Sequence, residues 1–285
     1  MMKEFAGVTI THPERVIFPK TNITKLDIAQ YYSQISEKLL LELIERPVSL
    51  VRSPGGLQNG KFYQKHPSEA FPKYIERITI TERQGEGVYI TLDAQNDLIF
   101  LSNIGVIEFH AWLSSLPDLE APDRIVFDLD PAPDAPWSNV IDAAKYIHDE
   151  LQEHKLFSCI KTSGIKGLHI VVPIKNTTWE HSKAFARGIA DHLAEKYPTK
   201  FTTTIAKDKR EGKVFIDYLR NSRGATNVAA FSLRTHAEAT ISFPFAWKDL
   251  STDIRPYMVT MKNYEDFTIP EEWKKLYTVS QKLMD

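Results

Sequence analysis

The sequence predicts an α+β protein whose sheet is covered by helices on at least one face, and three observations predict it. The second half alternates apolar strands with helices: strand 124–130, helix 137–154, strand 157–162, strand 168–174, helix 179–196 and strand 213–219. The first half mixes one long capped helix with hairpin-like strands, which indicates an N-terminal α/β lobe. Third, 285 residues with ordinary apolar content can bury a sizeable core, while no internal repeat or low-complexity linker marks a hard boundary. The expected layout is therefore two associated lobes over residues 1–250, with a polar tail over 251–285 that packs back on them.

Each element has a local reason. In "TNITKLDIAQYYSQISEKLLLELIER", Thr24 is the expected N-cap and Asp27 its capping-box partner. Leu26, Ile28, Ala29, Tyr32, Ile35, Leu39, Leu40 and Leu43 supply helical spacing, and Pro47 sets the limit. "VSLVRSPGG" reads as a strand entering a turn, and "ERITITERQGEGVYITLDA" as a hairpin. "NDLIFLSNIGVIEFHAWLSS" is helical in part.

Charge and cysteine content exclude several classes. Thirty-five basic and 37 acidic residues leave a formal charge of −2, so no global electrostatic funnel announces nucleic acid and any such binding must be local. The single Cys159 rules out an intrachain disulfide framework and a multi-cysteine zinc site. Neither a signal-peptide stretch nor a membrane-length apolar run is present, and the expected location is the cytoplasm.

The chemistry concentrates in a few stretches. In "RIVFDLDPAPDAP" the period of a strand puts Asp128 and Asp130 on one face, with Phe127 and Leu129 turned into a core. Two carboxylates held that close raise each other's proton affinity unless a cation sits between them. "KVFIDYLRN" repeats the pattern: Asp217 interrupts an apolar face shared with Phe215 and Leu219. If the three acids converge on adjacent strands they form a two-metal site; if not, Asp130 opens a turn and Asp217 pairs with Arg220 or Lys213.

"KTSGIKGLHIVVP" offers a Gly-punctuated loop with Ser163, Lys166 and Gly167, suited to phosphate oxygens, with His169 beginning the next strand. Its spacing is not that of a Walker loop, and an ordinary hairpin remains the alternative. Two stretches, 46–77 and 200–223, each carry a net +4. Within the first, "GKFYQKH" sets Phe62 and Tyr63 between Lys61 and Lys65, a pattern for stacking on bases beside a phosphate track or, equally, a core aromatic pair. His110 in "IEFHAW" has a plain core reading on its own.

Read together, "HPERVIFP…TK", "FYQKH", "IEFHAW", "VFDLDP", "SGIKGLHIVVP", "VFIDYLRNSRGAT" and "FSLR" occur in an order that resembles the polymerase domain of bacterial ligase D, in the archaeo-eukaryotic primase superfamily. The resemblance spans residues 5–250. It implies a primase-like catalytic core with a sheet resembling an RNA-recognition fold, and a template-dependent nucleotidyltransferase that fills gaps and extends broken DNA ends, with ribonucleotides preferred.

Carried onto this chain, the resemblance makes Asp128, Asp130 and Asp217 the ligands of two divalent ions, Mn²⁺ or Mg²⁺. Ser163, Lys166, Gly167, His169 and Arg234 would hold the triphosphate, and His110 would sit beside the nucleotide's sugar and phosphates. Arg15 and Lys25 match a basic pair that grips a 5′-phosphate across a gap, although lysine is common where this chain has Arg15. Phe62 and Tyr63 match template-stacking aromatics, with Lys65 beside them on the DNA.

The implied partners are gapped or 3′-overhanging DNA bearing a 5′-phosphate, NTPs or dNTPs, Ku and a DNA ligase, at the nucleoid and away from membranes. No "KxDG" adenylation motif occurs, so the chain shows no sign of ligase chemistry. Two rivals remain: a haloacid-dehalogenase-like phosphatase, because "VFDLDP" imitates its Asp-x-Asp, and a catalytically inactive module that bridges DNA ends.

Overall fold

The computed structural model describes residues 3–283. The chain divides into two compact units, the first formed by residues up to 112, 228–242 and 259–264, the second by 113–227, 243–258 and the residues from 265 on.

The first unit contains β1 (Val16–Phe18) and β2 (Ile23–Thr24), which lead directly into helix α1 (Lys25–Leu43). Thr24 caps α1 as the sequence predicts. Its hydroxyl accepts from the Asp27 N–H, and the Asp27 carboxylate accepts the Thr24 N–H at 2.8 Å. The helix ends before Pro47 can end it, because Ile44 leaves the helical region and Glu45 takes a positive φ.

Beyond α1 the unit builds a sheet from β3 (Val48–Arg52), β4 (Phe62–Gln64), β5 (Arg77–Glu82), β6 (Gly85–Ile90) and, after helix α2 (Gln95–Asn103), β7 (Val106–Trp112). The order is β7-β3-β6-β5, with β4 also paired to β3. The register sets Glu108 opposite Val51 and Val51 opposite Tyr63, and it sets His110 opposite Ser49.

The second unit runs β8 (Arg124–Pro131), α3 (Trp137–Glu153), β9 (Cys159–Thr162), β10 (Leu168–Pro173), α4 (Trp179–Lys196), β11 (Phe201–Thr202), β12 (Val214–Asp217) and β13 (Pro244–Phe245), with α5 (Glu271–Lys275) near the end. Its sheet is ordered β11-β12-β8-β10-β9-β13. The central four strands with α3 and α4 form a βαββαβ unit in which the fourth strand lies beside the first, as the RNA-recognition resemblance implies.

One face of this sheet is closed by the helices. Ile125, Phe127, Leu129, Leu168, Ile170, Val214 and Ile216 pack with Val140, Ala144 and Ile147 of α3 and with Ala186, Ala190 and Leu193 of α4. Strand alternation then obliges Asp128, Asp130, His169, Phe215 and Asp217 to project from the opposite face. Residues of the tail fold onto this unit: Gln281 exchanges hydrogen bonds with the Phe157 backbone, and Trp273 is buried. Among the described residues no helix is long and apolar enough to cross a membrane.

Candidate active site

The open face of the second unit's sheet carries a row set by strand register. Asp128 on β8 is the direct partner of Asp217 on β12 and of His169 on β10, and His169 is the partner of Lys161 on β9. Asp130 lies two residues along β8, on the same face, opposite Phe215. The three acids of the sequence reading are therefore brought together.

Cations meet these acids unevenly. His169 Nε2 is 3.4 Å from Asp128 Oδ1, and its Nδ1 lies 2.9 Å from the buried Lys161 ammonium. His169 thus stands between the two, one ring nitrogen on the Lys161 amine and the other facing Asp128. Arg220 is shared, 3.8 Å from Asp128 and 3.7 Å from Asp217. Arg210 reaches Asp130 at 3.7 Å while its guanidinium lies over the Phe215 ring and its Nε donates to the Thr204 carbonyl.

The electrostatic outcome separates the acids. Burial raises the proton affinity of Asp128, but His169, Arg220 and Lys161 outweigh it and hold the carboxyl at about 2. For Asp130 and Asp217 burial, reinforced by the charge on Asp128, wins, and both are raised above the ordinary aspartate value. Two of the three acids thus sit in an excess of negative potential, the condition a bound cation relieves. Hard carboxylate oxygens suit Mg²⁺ or Mn²⁺. Among the described residues no three His, Cys, Asp or Glu side chains are drawn together closely enough to form a finished metal cage.

The loop from Ser163 to Gly167 is organised by Ser163. Its hydroxyl oxygen accepts the N–H groups of Ile165, Lys166 and Gly167 at 3.0–3.3 Å, and its own N–H donates to the Gly167 carbonyl. Gly164 occupies the left-handed region, and a Cβ on Gly167 would lie 1.7 Å from the Leu129 carbonyl oxygen. Both glycines are thus required by the backbone. Lys166 stands exposed at the tip, where its charge acts on Asp130.

A second charged cluster lies in the first unit, on β7. Glu108 Oε2 is 2.8 Å from His110 Nε2 and 3.1 Å from Arg234 Nε, while Oε1 accepts the Thr235 N–H at 2.7 Å and the Thr235 hydroxyl. Burial would push Glu108 up, but these partners hold it well below the ordinary carboxylate range. Lys61 donates to the same Thr235 hydroxyl. Phe62 and Tyr63 are both about half exposed and, as neighbours on β4, leave opposite faces of the sheet. Tyr63 meets His110 edge-on, whereas Phe62 lies beneath the Arg52 guanidinium at 5.4 Å. Lys65 is engaged by Glu82 at 2.6 Å and lies against Tyr89.

Arg15 and Lys25 meet at the start of α1. The Lys25 N–H donates to the Arg15 carbonyl, the Arg15 guanidinium is anchored on the Pro54 carbonyl, and Lys25 Nζ donates to the Thr11 hydroxyl. Burial, with Arg15 adding to it, lowers the Lys25 ammonium to about 8. Two cations at a helix N-terminus make an anion-attracting corner.

Several contributors went unread in the sequence. Glu108 precedes His110 by two in a strand, so their shared face was available as a signal. Lys161 stands inside "IKTSG" and is seen only once the β9–β10 register aligns it with His169. Arg210 had no local signal, because a long irregular segment delivers it to Asp130.

A βαββαβ sheet with its acids on the open face defines a protein of the primase-polymerase class. Residues 24–272 match the family model described as LigD, primase-polymerase domain. The multifunctional non-homologous end joining protein LigD of Pseudomonas aeruginosa is 39% identical over 248 residues, covering 87% of this chain and 30% of that protein. The bifunctional LigD of Bacillus subtilis is 28% identical over 258 residues, covering 90% of this chain and 41% of that protein. Among solved structures, the polymerase domain of Mycobacterium tuberculosis ligase D in complex with DNA matches with a TM-score of 0.84 at 28% identity, covering 90% of this chain and 92% of that one. The chain belongs to the LigD primase-polymerase domain family. It spans less than half the length of these two LigD proteins.

Proposed function

We propose that this protein is a template-dependent nucleotidyltransferase that adds nucleotides to a DNA primer at gaps and broken ends in non-homologous end joining, with ribonucleotides preferred. The observation that carries the reading is the register of Asp128 against Asp217 with Asp130 two residues on, in a chain of this family.

In this reading Asp128, Asp130 and Asp217 hold the divalent ions. When bound, the ions neutralise triphosphate charge and favour the ionised primer hydroxyl. The remaining work falls to the chain's own side chains. Asp128 is ionised at any working pH, since His169 and Arg220 hold its carboxyl near 2. His169, set between Asp128 and Lys161, belongs to the residues that hold the triphosphate. Lys166, exposed on a loop tied down by Ser163, and Arg234 attract the nucleotide's phosphates. Arg15 and Lys25 select a 5′-phosphate, and Tyr63 and Phe62 offer exposed rings for base stacking. DNA as the partner is supported by the mycobacterial polymerase domain, whose structure is a complex with DNA. Ku and a ligase are the further partners this role requires, and the nucleoid is the location that follows from it. Family membership displaces the phosphatase alternative.

The test is primer extension on a short gapped duplex with a 5′-phosphate, comparing ribo- and deoxynucleotides in Mn²⁺ and Mg²⁺, with wild type beside Asp130→Ala. Metal-dependent, template-directed addition is expected from wild type, reduced at least about 10³-fold in the variant with gap binding retained. Undiminished extension by Asp130→Ala would remove the metal assignment. Gap binding without addition under any condition would favour the end-bridging module.

A further inference from the structure

The Glu108 cluster holds a feature that strand stability does not require. Burying a carboxylate in a sheet costs several kcal/mol before its partners return anything, and an apolar residue at this position of β7 would avoid that cost. Yet Glu108 is 3% exposed and is met by three hydrogen-bond donors and the charge of Arg234, divided between its two oxygens. Oε1 is taken up by the N–H and O–H of a single residue, Thr235, and this clamps the carboxylate plane. Oε2 then meets His110 Nε2 in a hydrogen bond at 2.8 Å and the Arg234 guanidinium as an ion pair, with Nε at 3.1 Å.

Exposure grades outward from this point. Glu108 is sealed, whereas Arg234 and His110 each retain some exposed surface, 13% and 15%. The imidazole is held by a hydrogen bond at Nε2, and the guanidinium by its charge, with Nε, the nitrogen nearest its stem, 3.1 Å from the carboxylate. A long arginine side chain that meets a phosphate from solution must first lose its rotamer freedom. One already paired with a buried carboxylate has lost much of it during folding, and its planar group is placed before any ligand arrives.

We propose that Glu108 is a positioning residue for the incoming nucleotide: it fixes His110 and Arg234 in one orientation, so that both reach the nucleotide's phosphates and sugar already ordered. This rests on the reading of the chain as a nucleotidyltransferase. Glu108 itself touches no substrate and acts only through its two partners. Its removal therefore weakens nucleotide capture more than the chemical step.

The experiment is steady-state extension of a gapped primer with wild type, Glu108→Gln, Arg234→Ala and the double variant, measuring kcat and the nucleotide KM separately, with thermal unfolding of each. Glutamine keeps the shape and an oxygen for Thr235 but loses the charge that orients the cations. The expected result is a nucleotide KM raised about tenfold with kcat changed less than about threefold, and a double variant whose loss falls short of the two single losses combined, because only the share acting through His110 is left to lose once Arg234 is gone. Glu108→Asp, which restores the charge, should recover part of the loss. An unchanged KM in folded Glu108→Gln, or losses that simply add in the double variant, would overturn the inference. Inactive wild type would instead strike the nucleotidyltransferase reading on which it rests.

Discussion

The two acidic clusters of this protein use the same residue types to opposite ends. Around Glu108 one carboxylate faces a guanidinium, an imidazole and two donors from Thr235, so its charge is fully answered by the fold. On the open sheet face three carboxylates share Arg220, Arg210 and His169 at 3.4–3.8 Å, and two of the three remain raised in proton affinity. The first cluster is complete as it stands. The second retains an excess of negative potential, which is the electrostatic support for the proposed cation site and sets it apart from a carboxylate whose charge the fold already answers.

The sharpest way to break this comparison is to remove Glu108. Glu108→Ala leaves His110 and Arg234 part-buried beside a void without their counter-charge, and should cost about 3–5 kcal/mol of unfolding free energy by denaturant titration. A cost under about 1 kcal/mol would mean that the cluster is as loosely satisfied as the sheet face.

A smaller effect tests the corner formed by Arg15 and Lys25. The Lys25 ammonium ordinarily titrates above 10, and here burial and Arg15 bring it to about 8. A lowered lysine is charged below that value and neutral above it, so any preference for a 5′-phosphate should weaken as pH rises. Between pH 7 and 9.5 the affinity ratio for phosphorylated over unphosphorylated gaps should fall about tenfold, and Lys25→Arg should flatten the profile because guanidinium stays charged. A wild-type ratio constant across that range would remove Lys25 from the phosphate contact.

How much of this was legible in the sequence depends on the range of the interaction. Period two placed Asp128 and Asp130 together, and helical spacing gave α4 its observed bounds of Trp179–Lys196, because both signals are local. The direct pairing of Asp128 with Asp217 and the alignment of Lys161 with His169 are matters of strand register across the sheet, which no local pattern encodes. "FYQKH" left stacking on bases and a core aromatic pair equally open, and the half-exposed rings of Phe62 and Tyr63, on opposite faces of the strand, speak against the core pair, while the Lys65–Glu82 ion pair was not legible locally. Ser163 read as a phosphate ligand, and the structure adds a local task the sequence did not show, since its hydroxyl oxygen accepts three backbone N–H groups that shape the loop. Glu108 offered one local signal, His110 two residues on along the same face, while its other partners, Arg234 and Thr235, lie more than a hundred residues away.

The finest test of the comparison is a substitution of opposite sign to Glu108→Ala. Asp217 has its proton affinity raised by burial and by Asp128, so the folded state binds a proton there more readily than the unfolded chain does. The folded protein gains stability as pH falls through that raised value and bears the full cost of the charge above it. Asp217→Asn removes the charge at neutral pH, and its side-chain oxygen can still accept the Leu219 N–H that Asp217 accepts at 2.7 Å. It also gives up the 3.7 Å contact with Arg220, which offsets part of the gain. The metal-free variant should therefore be more stable than wild type by up to about 1 kcal/mol. Mn²⁺ should then raise the unfolding midpoint of wild type more than that of the variant, since a ligand bound only by the folded state stabilises in proportion to its affinity. If Asp217→Asn instead lowers the midpoint as far as Glu108→Ala does, the charge of the open-face acids is answered within the fold as that of Glu108 is, and the electrostatic case for a cation there is lost.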